Sequence, residues 1–280
     1  MLMNYPNLGN RYHFFESSFA RGGSGEIYRV LDRYTGKIVA IKRLFSSVSS
    51  DEMIYKFKTE ANIYLMLNHP NIVCLNDFII KDGIHYLVME YVDGMPLDKY
   101  ISEETGPMST SLAKNLMSQI LDAVYFAHTK RIPLKGYKGV LHLDLKPSNI
   151  LITKSKSVKI IDYGISQGTE EQRAEKIIGT PLYMAPEQYD LTQDLTIKTD
   201  IYSLGLILHQ MVTGDLPYRG CRSNKELFER ILLTQTDRIT DIYKYVNRSF
   251  QNIIDHATVK DASQRYGCCM EMKDALQSIN

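Results

Sequence analysis

The chain of 280 residues has no tryptophan, only four cysteines and nine prolines, and a formal charge of +1. A near-neutral balance gives no basic field for nucleic acid, and the two signs of charge are interspersed rather than blocked. Cys74, Cys221, Cys268 and Cys269 have neither Cys-x-x-Cys nor zinc-ligand spacing, so a disulfide framework and a structural zinc are not expected. They fit a reduced, cytoplasmic setting. The longest apolar stretch, around Leu204–Leu208, is far too short to span a bilayer. The first fifteen residues, MLMNYPNLGNRYHFF, carry no apolar signal core, and none is expected. No repeat or low-complexity segment is present.

What the chain does have is a composition of 44% hydrophobic and 23% charged residues, enough for one large domain or two lobes with separate cores. The first part reads as strands: 12–20, 26–32, 37–44, 73–81 and 84–90, with Asp82-Gly83 as a hairpin turn. One helix, Asp51–Leu67, interrupts them, opening on Ser50, Asp51 and Glu52. YVDGMP, residues 91–96, breaks the pattern and marks a boundary. Helices follow: 109–128, 197–212, and shorter ones near 223–234, 246–258 and 268–278. The 197–212 stretch is apolar nearly all round, the mark of a buried helix.

Several stretches carry chemistry. FARGGSGEIYRV, residues 19–30, is a glycine-rich turn between strands. Alone it is equally a flexible turn, but such a hairpin lets backbone N–H groups approach a polyanion without a Cβ clash. VAIK, residues 39–42, ends an apolar strand in Lys42. Met53, Phe57, Glu60 and Tyr64 share one helical stripe. That leaves the Glu60 carboxylate either facing a core, with Lys42 as its partner, or snorkelling at the stripe's edge. LHLDLKPSNILI, residues 141–152, sets His142, Asp144, Lys146 and Asn149 between apolar runs read as strands. It is a solvated turn or a site. VKIIDYG, residues 158–164, is an apolar strand ending in Asp162. Asp162 and Asn149 together suit Mg2+, which takes few protein oxygens.

In this order the motifs resemble those of the eukaryotic-type (Hanks-type) serine/threonine protein kinases. ARGGSGEI stands for the phosphate loop, VAIK and Glu60 for the lysine–glutamate pair, HLDLKPSN for the catalytic loop and DYG for the metal triplet. GTPLYMAPE (179–187), DIYSLG (200–205) and Arg265, the expected partner of Glu187, complete the series. The resemblance covers residues 12 to 278 and implies a single domain of α+β class with a two-lobed protein-kinase fold. Residues 12–90 form an antiparallel sheet plus one helix, 91–96 the hinge, and 97–278 a mainly helical lobe.

It further implies transfer of the γ-phosphoryl group of ATP to Ser/Thr hydroxyls of proteins, with Mg2+, or Mn2+ in its place. Asp144 is then the base, Lys146 lies near the transferring group, and Asn149 and Asp162 hold the metal. Lys42, steadied by Glu60, contacts the phosphates. Ala20, Arg21, Gly22, Gly23, Ser24 and Gly25 cover them. Ile27, Ala40 and Leu151 sandwich the adenine, Glu90 and Val92 bond its edge, and Met89 stands behind it. His142 and Tyr163 stack in a column with Tyr64 and Leu75, anchored by Asp200. No nucleic-acid or membrane partner is implied.

Departures refine this. Ala20 replaces the first glycine of the phosphate loop and Tyr163 the usual Phe. Leu143 replaces the usual Arg before the catalytic Asp, which removes the partner of an activation-segment phosphate. Activity independent of phosphorylation at Thr169 is therefore expected. Ile165 points to threonine acceptors, while Pro96 and Ser148 argue against arginine-directed substrates. Residues 129–138 read as a solvated surface insertion, with a docking surface as the alternative. The rival reading is a pseudokinase scaffold that binds ATP without turnover; the presence of Lys42, Asp144, Asn149 and Asp162 argues against it. A small-molecule kinase on a related fold would lack GTPLYMAPE.

Overall fold

A computed structural model describes residues 6, 8–15, 20–22, 25–47, 51–133, 139–163, 181–190, 192–218, 220–221, 223–234, 236 and 238–279. The chain divides into two compact units, Met1–Asp93 and Gly94–Asn280.

In unit 1, strands β1 (Tyr12–Phe14), β2 (Ala20–Gly22), β3 (Gly25–Asp32), β4 (Lys37–Ser47), β5 (Leu75–Lys81) and β6 (Ile84–Glu90) form an antiparallel sheet. The order is β1-β3-β4-β6-β5, and β2 pairs with β3 beside β1. The expected strand over 12–20 is thus two short ones on successive stretches of β3: Tyr12 lies opposite Asp32 and Ala20 opposite Ile27. Asp82 and Gly83 both have positive φ, 51° and 72°, as the tight turn between β5 and β6 requires. Helix α1 (Asp51–Leu65) packs on β5.

Strand alternation sorts the sheet into two faces. Tyr28, Ile41 and Val88 lie in one cross-strand row, Val30 and Val39 in the next. With Tyr12 and Tyr86 they form a buried apolar cluster. Ile27, Lys42 and Leu87, then Ala40 and Met89, point to the opposite face.

Unit 2 opens with β7 (Gly94–Pro96), which pairs with β8 (Ile150–Thr153), and β8 with β9 (Val158–Ile160). YVDGMP is therefore a break that ends in a strand, because Gly94–Pro96 finds a partner distant in sequence. The apolar residues before Asp144 form no strand; only those after Asn149 do. Short α2 (Leu97–Lys99) runs into a π-helical segment, Tyr100–Thr105. Helix α3 (Thr110–Thr129) starts at Ser109, whose side chain accepts the Leu112 N–H. Helix α4 (Ile197–Thr213) is capped by Thr196 and buried almost throughout. It ends at Gly214, φ 75°, whose N–H donates to the Gln210 carbonyl. Among the described residues helices α5 (Asn224–Leu233), α6 (Ile239–Ile242), α7 (Arg248–Ala257) and α8 (Cys269–Gln277) follow. Of these, α6 was not expected from the sequence. Helix α8 packs on α3 and α7 on α4.

Unit 1 is an antiparallel sheet with a helix and unit 2 is mainly helical, the fold class that the resemblance implies. Among the described residues no helix is long and apolar enough to cross a membrane, and all four cysteines are free.

Candidate active site

Residues 142–149 alternate between buried and open positions. His142, Leu145, Pro147 and Asn149 are buried; Asp144 is exposed, its side chain 53% accessible. The loop therefore presents one carboxylate to solvent from an anchored backbone. Lys146 Nζ reaches Asp144 Oδ1 and Oδ2 at 3.1 and 2.8 Å. Asn149 Nδ2 donates to the Asp144 carbonyl at 2.8 Å and to Oδ2 at 3.1 Å. Those two bonds fix the amide orientation, leaving Oδ1 as the other polar atom of the Asn149 side chain.

His142 ties this loop to the stretch leading into Asp162. Its Nε2–H donates to the Ile161 carbonyl, 3.0 Å, while Nδ1 accepts the Asp144 N–H, 3.3 Å. These two partners select the neutral Nε2-protonated tautomer. The Ile161 N–H donates to the Asn149 carbonyl, 3.0 Å. Asp162 follows with φ 63°, a left-handed value uncommon outside glycine. The Tyr163 ring lies 4.6 Å from that of His142 and is buried, so these two members of the expected column do meet.

Beneath the loop sits Asp200, wholly buried in the first turn of α4. Its carboxylate accepts three donors: the His142 N–H (2.8 Å), the Leu143 N–H (2.8 Å) and His128 Nε2–H (2.8 Å). Burial pushes its pKa up, but the hydrogen bonds from the His128 side chain and the His142 N–H outweigh burial and hold it below the ordinary carboxylate value. Leu143 itself has φ 60°, which for a residue with a Cβ costs about 1–2 kcal/mol. The strain persists because Asp200 fixes its N–H and Gln188 Nε2 donates to its carbonyl at 2.9 Å.

The expected Glu187–Arg265 pair is present and buried. Arg265 Nη1 and Nη2 meet Glu187 Oε1 and Oε2 at 2.7 and 2.9 Å. The remaining guanidinium hydrogens go to the carbonyls of Val259, Lys198 and Lys260. All five donors are thus satisfied, the condition for keeping such a pair buried.

In unit 1, Lys42 is buried on the face shared by Ile27, Ala40 and Met89. The Glu90 N–H donates to the Cys74 carbonyl, 2.9 Å. Leu151 lies on β8, opposite Pro96 and Lys159. Gly23, Ser24, Gly164, Ile165, Thr169, Gly179, Thr180 and residues 134–138 lie outside the described residues. So do the side chains of Ala20, Arg21 and Glu60, and with Glu60 the expected pairing to Lys42. His128 and Gln188 were not singled out from the sequence. A lone histidine at a helix end and a glutamine after APE carry no signal until their partners are known.

A family model, protein kinase domain, matches residues 15–277. The chain belongs to the protein kinase family. It is 36% identical over 256 residues to "Serine/threonine-protein kinase PrkC" of Bacillus subtilis, covering 90% of this chain and 38% of that protein. It is 36% identical over 281 residues to "Serine/threonine-protein kinase PknA" of Mycobacterium tuberculosis, covering 97% of this chain and 62% of that one. The chain thus spans less than two thirds of the length of these relatives. The crystal structure of the Mycobacterium tuberculosis PknI kinase domain matches with TM-score 0.75 at 22% identity, covering 96% of each chain, which speaks for the fold. The kinase chain is a catalytic domain of the Hanks serine/threonine type. Among its described residues no three His, Cys, Asp or Glu side chains cluster to hold a metal by themselves.

Proposed function

We propose that the chain transfers the γ-phosphoryl group of ATP to serine and, preferentially, threonine hydroxyls of protein substrates. The observation that carries this reading is the Asp144 carboxylate, exposed on an immobilised loop and held between Lys146 and Asn149 at 2.8–3.1 Å. Phosphoryl transfer asks mainly for positioned groups and offset charge. In this reading Asp144 orients the acceptor hydroxyl and takes its proton. Lys146 lies against that carboxylate and offsets the negative charge of the transferring group.

Asn149 Oδ1 and the Asp162 carboxylate make an oxygen-only donor pair, which fits Mg2+, and Mn2+ equally. The metal supplies neutralisation of phosphate charge. Lys42 contacts the nucleotide phosphates, with Glu60 as its partner, and the backbone of residues 20–25 covers them. Ile27, Ala40, Met89 and Leu151 provide apolar contact for the adenine, and the backbone of Glu90 and Val92 its polar edge. Residues 91–96 act as the hinge of a single kinase domain over residues 1–280, between lobes 12–90 and 97–278.

Leu143 supports independence from activation-segment phosphorylation, since it offers a phosphate no cation. Ile165 supports the threonine preference through the resemblance alone.

The test is labelled phosphate transfer from Mg–ATP to a mixed Ser, Thr and Tyr peptide library, by phosphatase-treated wild type and Asp144→Asn. Thr-dominated transfer by the treated wild type is expected, with a loss of about a hundredfold or more in the variant. Full activity in Asp144→Asn, or transfer mainly to Tyr, would overturn the assignment. Activity present only before phosphatase treatment would overturn the independence from phosphorylation.

A further inference from the structure

Leu143 immediately precedes Asp144, and its peptide groups are held from two sides. Its N–H is held by Asp200 and its carbonyl by Gln188. The two holders come from different parts of unit 2: Asp200 from α4, Gln188 from the 3-10 turn Pro186–Gln188. A backbone held at φ 60° has no intrinsic preference for that value. Removing either restraint lets residue 143 relax and carries the Asp144 carboxylate with it.

The Gln188 amide is itself oriented without ambiguity. Its Oε1 accepts the Ala185 N–H at 3.0 Å, and its Nε2 donates to the Leu143 carbonyl at 2.9 Å. Turning the amide over would set N–H against N–H at one end and oxygen against oxygen at the other. The turn that carries it is anchored in turn. The Gln188 N–H donates to the Ala185 carbonyl at 2.9 Å. Its neighbour Glu187 is locked to Arg265 by the buried two-pronged pair. A continuous line of contacts therefore runs from Arg265 through Glu187 and Gln188 to the carbonyl of Leu143.

We propose that Gln188 is a positioning residue for phosphoryl transfer: its amide, oriented by Ala185 and anchored through Glu187–Arg265, holds the Leu143 carbonyl and so sets the Asp144 carboxylate. The proposal rests on the phosphotransfer reading above. It gives residues 185–188 a direct mechanical link to the proton acceptor. That link needs no charge at position 143, where this chain has Leu. Gln188 touches neither substrate nor metal in this scheme and acts only through the loop.

Three variants of the whole chain separate this from a general structural role. Gln188→Glu keeps an oxygen for the Ala185 N–H but sets an acceptor against the Leu143 carbonyl. Gln188→Met keeps the volume and has no donor. Gln188→Ala removes both. All three spare Glu187 and Arg265. Steady-state kinetics on a threonine peptide give kcat and the KM for ATP, and thermal shift gives stability.

The expected result is a kcat lower by about tenfold in Gln188→Glu and Gln188→Met, the size of one lost positioning hydrogen bond, with KM for ATP unchanged. A Gln188→Glu protein with wild-type kcat overturns the proposal while leaving the phosphotransfer reading standing. So does a loss in which kcat and KM shift together in step with the folded fraction, or failure of both Gln188→Glu and Gln188→Met to fold. A wild type that transfers no phosphate fails the underlying reading instead, and the proposal with it.

Discussion

The carboxylates of this chain sit in different surroundings. Asp144 is open to solvent, with the Lys146 ammonium and the Asn149 amide beside it. Asp200 is sealed away and stays ionised because three donors converge on it. Asp32, also buried, is held by Arg11: Nε to Oδ1 at 3.0 Å and Nη2 to Oδ2 at 2.8 Å. That pair, helped by the Tyr34 N–H, draws the Asp32 pKa down to about 2 against the opposing effect of burial. A carboxyl whose folded value lies below its unfolded value of about 3.9 stabilises the native state above that pH. The contribution is lost as pH falls from about 4 through about 2. Arg11 is partly exposed, so the contribution is discounted for screening to about 1–2 kcal/mol. Asp32→Asn is expected to lower neutral-pH stability by that amount and to flatten the acid limb of the stability profile. Equal steepness of the acid limb in wild type and variant would refute it.

Element by element, the packing of α4 decides most of unit 2. It is buried nearly all round, so its neighbours must approach it closely. At Gly205 an added Cβ would lie 2.8 Å from both Ala257 Cβ and Thr258 Cγ2. Neither atom can swing aside, because each sits one bond or two from the backbone of the α7 terminus. Gly205→Ala is therefore expected to separate α4 from α7 and to cost about 1–3 kcal/mol. Urea unfolding would register this as a lower midpoint at unchanged slope; a midpoint at or above wild type would show that the contact has slack. The helices over 109–128, 197–212 and 223–234 were legible in the sequence from their apolar pattern, and the structure adds their caps: Ser109, Thr196 and Ser223 each precede their helix and accept from its first turn. Strand β7 and the π-helical segment after α2 were not legible. The first exists only because β8, far along the chain, pairs with it, and the second has no periodicity of its own.

For the molecule as a whole, the two units build separate cores, one under a twisted antiparallel sheet and one around α4. A ligand that binds only the native chain stabilises it by mass action, about 2.7 kcal/mol at a hundredfold excess over Kd. Mg–ATP is thus expected to raise the melting temperature of the wild type, and Lys42→Met to abolish most of that rise. A wild-type melting temperature indifferent to saturating Mg–ATP would count against the nucleotide reading.

Order and spacing along the chain were enough to determine the family, the fold class and the identity of the polar residues around Asp144, because each motif is a short run whose residue types answer a local chemical need. The resemblance implied Asp200 as an anchor near His142; tertiary structure alone decided that it also gathers His128 and the Leu143 N–H, and that Gln188 reaches the Leu143 carbonyl. These partners lie 45 to 72 residues apart. A hydrogen bond between such distant positions leaves no trace in periodicity or propensity; it exists only once the helices and turns that carry its two ends have packed.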